Sequence, residues 1–328
     1  MNSLINPSQV VSDAQNLVLE LTNQVELHHP GLLATYSVSQ YLSLLHDLPV
    51  LGWYHCISPD IEVFCRNVAA GYGIQGLGRF HQLVLAKLIL KIDGEINSMA
   101  IDQEIIKLFC QNFTRIKKFM ASNPPEFYQH SNDKFSKDLA ACMLRLMPMG
   151  AQKIILNGIP RSDVVKSGGL NAVKSIAYIL SEVGDFKPLY EMHTDEYDMA
   201  LLREFSPEGW DRCYLRIASM LESNPDVKGV FGISWFFDPQ LEKISPRLNF
   251  LRERPLNNGG QIFFISHDKK GVGGALVRST TRQKLFSQGQ YIPANYLMIW
   301  PRKYLISWAN RFKKSGDYSQ IKRSGVNG

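Results

Sequence analysis

A chain of 328 residues, 45% hydrophobic and 20% charged, has the composition of a globular protein and the length of about two domains. Those figures exclude a disordered chain, a collagen-like chain and a disulfide miniprotein. The formal charge of +6 is partly a matter of the C-terminus, where Arg311, Lys313, Lys314, Lys322 and Arg323 sit among Gly and Ser. They read as a solvated tail, because no nucleic-acid motif accompanies them.

The five cysteines are Cys56, Cys65, Cys110, Cys142 and Cys213. Their number is odd and no pair has CxxC spacing, which argues against a zinc finger and a disulfide framework and fits a reducing compartment. Most fall at apolar helical positions, where a buried inert thiol is the default. The N-terminus lacks the basic start and apolar run of a signal peptide. The longest apolar stretch, Leu83 to Ile92, contains Lys87 and Lys91 and is too short to span a membrane. The expectation is a soluble, cytoplasmic protein.

Residues 1–147 read as a helical domain. Residues 8–26 and 36–46 have loose helical periodicity. Ser58-Pro59 supplies an N-cap and a first-turn proline, and Ile61, Phe64, Cys65 and Val68 follow at i, i+3, i+4 and i+7. Gly71 is placed to end that helix. A second helix is predicted over Arg79–Ile92. A third carries Ile105, Leu108, Phe109, Ile116 and Phe119, ahead of a polar loop at 123–133.

Residues 148–312 read as an α/β domain, followed by a basic flexible tail at 313–328. The predicted strands are Lys153–Gly158, Pro188–His193, Gly229–Phe237, Gly260–Ser266 and Asn295–Trp300, each short and apolar. Helical patterns alternate with them. Leu170, Val173, Ile176, Ala177 and Leu180 form a stripe ending before Gly184. Trp210, Cys213, Tyr214, Ile217 and Leu221 follow Ser206-Pro207. Ser245-Pro246 starts a short helix that should stop before Pro255. Thr280-x-x-Gln283 has the form of a capping box, and Pro301 opens a last helix. An alternative reading of 260–279 is a hairpin, with 274–279 as its second side, which would make the sheet mixed. The fold class is therefore α/β, with α+β as its variant: a helical domain, then a three-layer domain with a parallel or mixed sheet.

Gly71-Tyr-Gly73-Ile-Gln-Gly76 matches GxGxxG in letters only. The dinucleotide fingerprint needs a strand before its first glycine, and here a helix precedes it, so a bend between helices is expected. The sharpest polar cluster is Glu191, His193, Asp195, Glu196 and Asp198, where a strand should end. Asp238 follows Ser234-Trp235-Phe236-Phe237, His267 and Asp268 follow another strand, and Arg302 follows Trp300-Pro301. If the strands are parallel, these groups share one rim, where α/β sheets bind ligands. His193-Thr-Asp195 also matches the HxD pair of iron/2-oxoglutarate oxygenases, with His267 as distal ligand and Arg278 for a carboxylate.

Arg247, Arg252, Arg254, Arg278, Arg282 and Arg302 suit phosphate or carboxylate. A mixed sheet with short helices is similar to the layout of GNAT acyltransferases, although the glycine-rich acyl-CoA loop is absent after 229–237. P-loop, GxSxG, HExxH and kinase motifs are absent. Cys56 adjoins His55 as a nucleophile pair in letters. Trp235, Phe236, Phe237, Trp300 and Trp308 are expected in the core.

The leading expectation is an enzyme, an acyltransferase-like transferase taking an anionic small molecule, coenzyme A or an acyl carrier. Glu191, His193, Asp195 or Glu196 would be its base, with Asp238 beside them. Ser234, Trp235, Arg247, His267, Arg278, Arg282 and Arg302 would bind the ligand. The rivals are an oxygenase with iron and 2-oxoglutarate at His193, Asp195 and His267, and a non-enzymatic protein that uses its helical half as an interaction surface.

Overall fold

The computed structural model describes residues 7–99, 101–194 and 204–315. The chain divides into two compact units, Met1–Pro148 and Met149–Gly328.

In the first unit, α1 (Pro7–His28) buries Val10, Ala14, Leu21 and Val25, a single stripe at helical spacing. Two short helices follow, α2 (Leu32–Thr35) and α3 (Val38–His46). Next comes α4 (Pro59–Ser98), with Ser58 capping its first turn through the Ile61 N–H. Gly71 stays inside this helix, and the break falls at Gly73, whose φ of 73° and ψ of 175° suit glycine alone. The expected bend between helices is thus present, two residues later than Gly71, and the second arm runs on to Ser98. That arm buries every residue from Phe80 to Ala86 and forms the centre of the unit. At Gly78 the Pro125 carbonyl approaches so closely that a Cβ would lie 1.9 Å from its oxygen. Packed around the arm are α5 (Gln103–Ser122) and α6 (Asp133–Cys142).

The first unit ends in a short strand, β1 (Leu146–Pro148), and the second holds a mixed sheet in the order β2-β3-β4-β6-β5, with β2 (Lys153–Asn157), β3 (Leu189–His193), β4 (Gly229–Ser234), β5 (Gln261–His267) and β6 (Ala294–Pro301). β3 and β4 are parallel, while β2–β3, β4–β6 and β5–β6 are antiparallel. β3, β4 and β5 therefore point one way, and β2 and β6 the other. β1 adds to the strands expected from sequence, and 274–279 is not a strand, so β5 has no hairpin partner there.

Helices cover both faces of this sheet. On one, Val230 and Trp300 sit side by side in the register. Trp300 packs against Tyr214 of α9 (Pro207–Ser223) and Trp308 of α13 (Arg302–Lys314), with ring centroids 5.0 and 5.4 Å away. On the other, Leu189, Phe231, Leu297 and Ile299 pack with Val164 of α7 (Arg161–Lys166) and with Ile179 and Val183, which follow α8 (Gly169–Tyr178).

Several local expectations shift. Leu170, Val173 and Leu180 are 76%, 62% and 57% exposed, because α8 and the turn that follows it direct Ser175, Ile176 and Ile179 inward instead. Ser279, not Thr280, caps α12 (Thr280–Ser287), accepting from the Arg282 N–H, and Gln283 donates to the Leu276 carbonyl, so the expected capping box does not form. After α10 (Leu241–Ile244), Pro255 lies inside α11 (Phe250–Leu256) rather than beyond it. The last helix reaches Lys314, two residues past the expected end of the domain at 312, and residues 316–328 lie outside the described residues. No helix among the described residues is long and apolar enough to cross a membrane.

Candidate functional site

The sheet brings some of the expected site together and disperses the rest. β3, β4 and β5 end on one rim, at His193, Ser234 and His267. β6 runs the other way, with Pro301 beside Gly229, so Arg302 lies at the opposite rim. There its guanidinium donates to the Leu221 and Asn224 carbonyls and ties down the end of α9. Arg302 is a helix anchor, separate from any ligand site on the carboxyl rim. His193 and His267 are parted by β4 and β6, three strand spacings or about 14 Å. One iron cannot take both as ligands, and the facial-triad reading fails on that distance. Asp195 and Glu196 lie outside the described residues.

Two more expected site residues are internal braces. Asp238 is fully buried, and its oxygens accept from the Gln240 N–H at 3.0 Å, the Ala294 N–H at 3.3 Å and the Tyr291 hydroxyl at 3.3 Å. Burial pushes its carboxyl pKa up despite those donors. A carboxylate so spent fixes the turn after β4 and has no free face for substrate. Arg282 is 4% exposed and donates to the Ala275 carbonyl at 2.5 Å and the Ser245 hydroxyl at 3.0 Å, with Trp235 under its guanidinium. Burial lowers its pKa. Ser234 accepts from the Phe236 N–H and caps the short turn that follows β4. Arg247, Arg278 and His267 are exposed.

What remains is a compact polar group on β2 and β3. Lys153 is opposite His193 in the register, and Glu191 and Asn157 share that face of the sheet. Glu191 is 6% exposed and Lys153 1%. The Glu191 carboxylate accepts from Asn157 Nδ2 at 2.6 Å and lies 3.5 Å from His193 Nε2. The Glu191 carboxylate is thus fixed within ion-pairing distance of the imidazole.

The first unit holds a second cluster that the sequence did not announce. Cys65 projects from the first arm of α4, His81 from its second arm, and His130 from the loop before α6. On an unbroken helix 16 residues would separate Cys65 from His81 by about 24 Å. The break at Gly73 brings Cys65 Sγ within 3.6 Å of His81 Nε2. Tyr41 of α3 closes the group, with its hydroxyl 2.6 Å from His130 Nε2 and 3.9 Å from Cys65 Sγ. His81 Nδ1 lies 2.7 Å from the Tyr128 carbonyl oxygen, and His130 Nδ1 lies 3.2 Å from that of His55. A carbonyl only accepts, so both Nδ1 atoms carry hydrogen and both Nε2 atoms present lone pairs inward. Burial lowers the His81 pKa to about 3 and that of His130 to about 4, and it raises the Cys65 thiol to about 11. A surface pocket of about 270 Å³ opens onto Cys65, His81 and His130, with Glu62 and Arg66 on its wall.

The neighbouring letters Cys56 and His55 do not make a nucleophile pair. The His55 ring stacks on Trp53 and Tyr54, and burial raises the Cys56 thiol to about 11. The GxGxxG letters lie within α4, with no strand before them. The chain matches no protein-family model, no curated protein and no solved structure.

Proposed function

We propose that the second unit is an acyl-type transferase that holds an anionic small molecule, a coenzyme A or acyl-carrier thioester, where β3 and β4 end. His193 acts as general base and Glu191 orients it. The observation that supports this reading best is that β3 and β4 are parallel neighbours that end on one rim, at His193 and Ser234. Ligands of α/β sheets usually sit outside the carboxyl ends of such strands. A pantetheine arm is extended and carries amides, so it can lie along that rim.

Two features favour the anionic end of such a ligand. α9 follows β3 and leads into β4, so its N-terminus, capped by Ser206, lies toward the same rim. Arg247 and Arg278 are exposed to meet phosphate. In the reaction, His193 takes a proton from an amine or hydroxyl acceptor. The acceptor attacks the thioester carbonyl, the carbon–sulfur bond breaks, and the leaving thiolate receives a proton. Glu191, held by Asn157, steadies the imidazolium that forms.

Calorimetric titration of the full chain with coenzyme A and acetyl-coenzyme A tests this. Saturable binding with Kd on the order of micromolar is expected. Thiol release with a mixture of amine acceptors should fall at least about 100-fold in His193→Gln, with coenzyme A binding kept. Arg302→Lys should change neither. Absence of binding at millimolar ligand overturns the reading.

A further inference from the structure

We propose that Cys65, His81 and His130 bind one zinc-class divalent ion in the first unit, with a fourth coordination position open to the adjoining pocket. Their three ligand atoms already lie within 4.8 Å of one another. Tetrahedral zinc with bonds of about 2.0–2.3 Å needs ligand atoms about 3.3–3.8 Å apart, and Cys65 and His81 already meet that spacing at 3.6 Å. His130 has about an ångström to close, and it sits on a loop rather than on a helix.

The groups behind the ligands are arranged for the same purpose. Ligating histidines usually give their other ring N–H to a carbonyl or carboxylate, which fixes the tautomer and aims the free nitrogen. His81 does this toward the Tyr128 carbonyl and His130 toward the His55 carbonyl. One thiolate and two imidazoles suit zinc and late transition ions, whereas magnesium and calcium prefer oxygen. His81 is fully buried, and Phe135 stacks on its ring at 4.7 Å, so its direction is set by packing.

The protons balance simply. Without metal, the Cys65 thiol donates toward Tyr41, and the Tyr41 hydroxyl donates to His130 Nε2. Metal binding forms a metal–sulfur bond, and the thiol proton leaves to solvent. The His130 lone pair passes to the metal, and the Tyr41 hydroxyl turns to donate to the Cys65 thiolate. Glu62, one turn before Cys65 on α4, lies on the pocket wall beside the open position. This site is independent of the proposed reaction in the second unit, and each can fail without the other.

Titration of the full, chelator-treated chain with cobalt(II), followed by displacement with zinc(II), tests the proposal. The expected result is one equivalent of cobalt with tetrahedral visible bands and a thiolate-to-cobalt charge-transfer band. Cys65→Ser should abolish the charge-transfer band, and His130→Ala should weaken affinity at least about 10-fold. Cys213→Ser, in the other unit, should leave both unchanged, and Tyr41→Phe should keep the charge-transfer band. Each variant's far-ultraviolet circular dichroism separates loss of a ligand from loss of the fold. A wild-type chain without the bands, or a Cys65→Ser chain that keeps the charge-transfer band, overturns it.

Discussion

His81 gives its Nδ1 hydrogen to the carbonyl of Tyr128 at 2.7 Å, across 47 residues of sequence. That bond sets which nitrogen of a fully buried ring is free. Burial also holds the ring neutral, since it outweighs the bond and lowers the pKa to about 3. His130 is lowered to about 4, again chiefly by burial. In the unfolded chain both titrate near about 6.5. The unfolded state therefore binds more protons below that pH, and folding stability is complete above it. Each tenfold loss of proton affinity on folding is worth about 1.4 kcal/mol, so stability of the chelator-treated chain should fall by several kcal/mol as pH drops from about 6.5 toward 4. His81→Asn keeps an N–H donor without a titrating ring, and urea unfolding across that range should show a flatter slope for it. Equal slopes in the two proteins would contradict the assignment.

The break in α4 separates two glycines that look alike in sequence. Gly73 has φ 73° and ψ 175°, whereas Gly71 is helical, and a Cβ on either meets nothing within 4 Å. Sterics being equal, backbone conformation decides the outcome. Gly71→Ala should stabilise by roughly 0.5–1 kcal/mol, and Gly73→Ala should destabilise by about 1–3 kcal/mol. Denaturant midpoints of the two variants check the opposite signs.

Lys134 and Asp138 are both 1% exposed, with Lys134 Nζ 3.1 Å from Asp138 Oδ1, and the Arg115 guanidinium also reaches Asp138. Asp138→Ala leaves buried cations without their carboxylate and should cost about 3–5 kcal/mol. An exposed pair such as Lys166–Asp163 should cost less than about 1 kcal/mol when broken. Chemical denaturation of Asp138→Ala and Asp163→Ala side by side measures the contrast.

The exposed apolar side of α8 gives a test of the second unit. Val173→Lys should change stability by less than about 0.5 kcal/mol and improve solubility, while Ile179→Ala, in the core, should cost about 2–4 kcal/mol. Equal costs would mean that the periodic stripe is buried after all.

The sequence carried element positions well and relations between elements poorly. Strands at Lys153, Leu189, Gly229, Gln261 and Ala294 were legible because short β-branched and aromatic runs sit between helix caps. Ser206-Pro207 and Ser58-Pro59 named their helix starts for the same local reason. Strand direction was not legible, since it depends on which distant strands pair. The reversal of β6 is what removes Arg302 from the rim. The α8 stripe misled because periodicity shows that a face is apolar, not that it is covered. The Cys65–His81–His130 group had no fixed motif spacing, and its assembly depends on one unusual ψ at Gly73 and on loop contacts from far along the chain. The nearest signal was the pair of glycines in an otherwise helical run.

Hydrogen–deuterium exchange of the full chain with and without saturating coenzyme A tests the proposed ligand seat most directly. A ligand seated where β3 and β4 end predicts added protection concentrated in 189–194 and 229–235, with 146–148 and 301–314 unchanged. Protection confined to other segments, or none at saturating ligand, would contradict it.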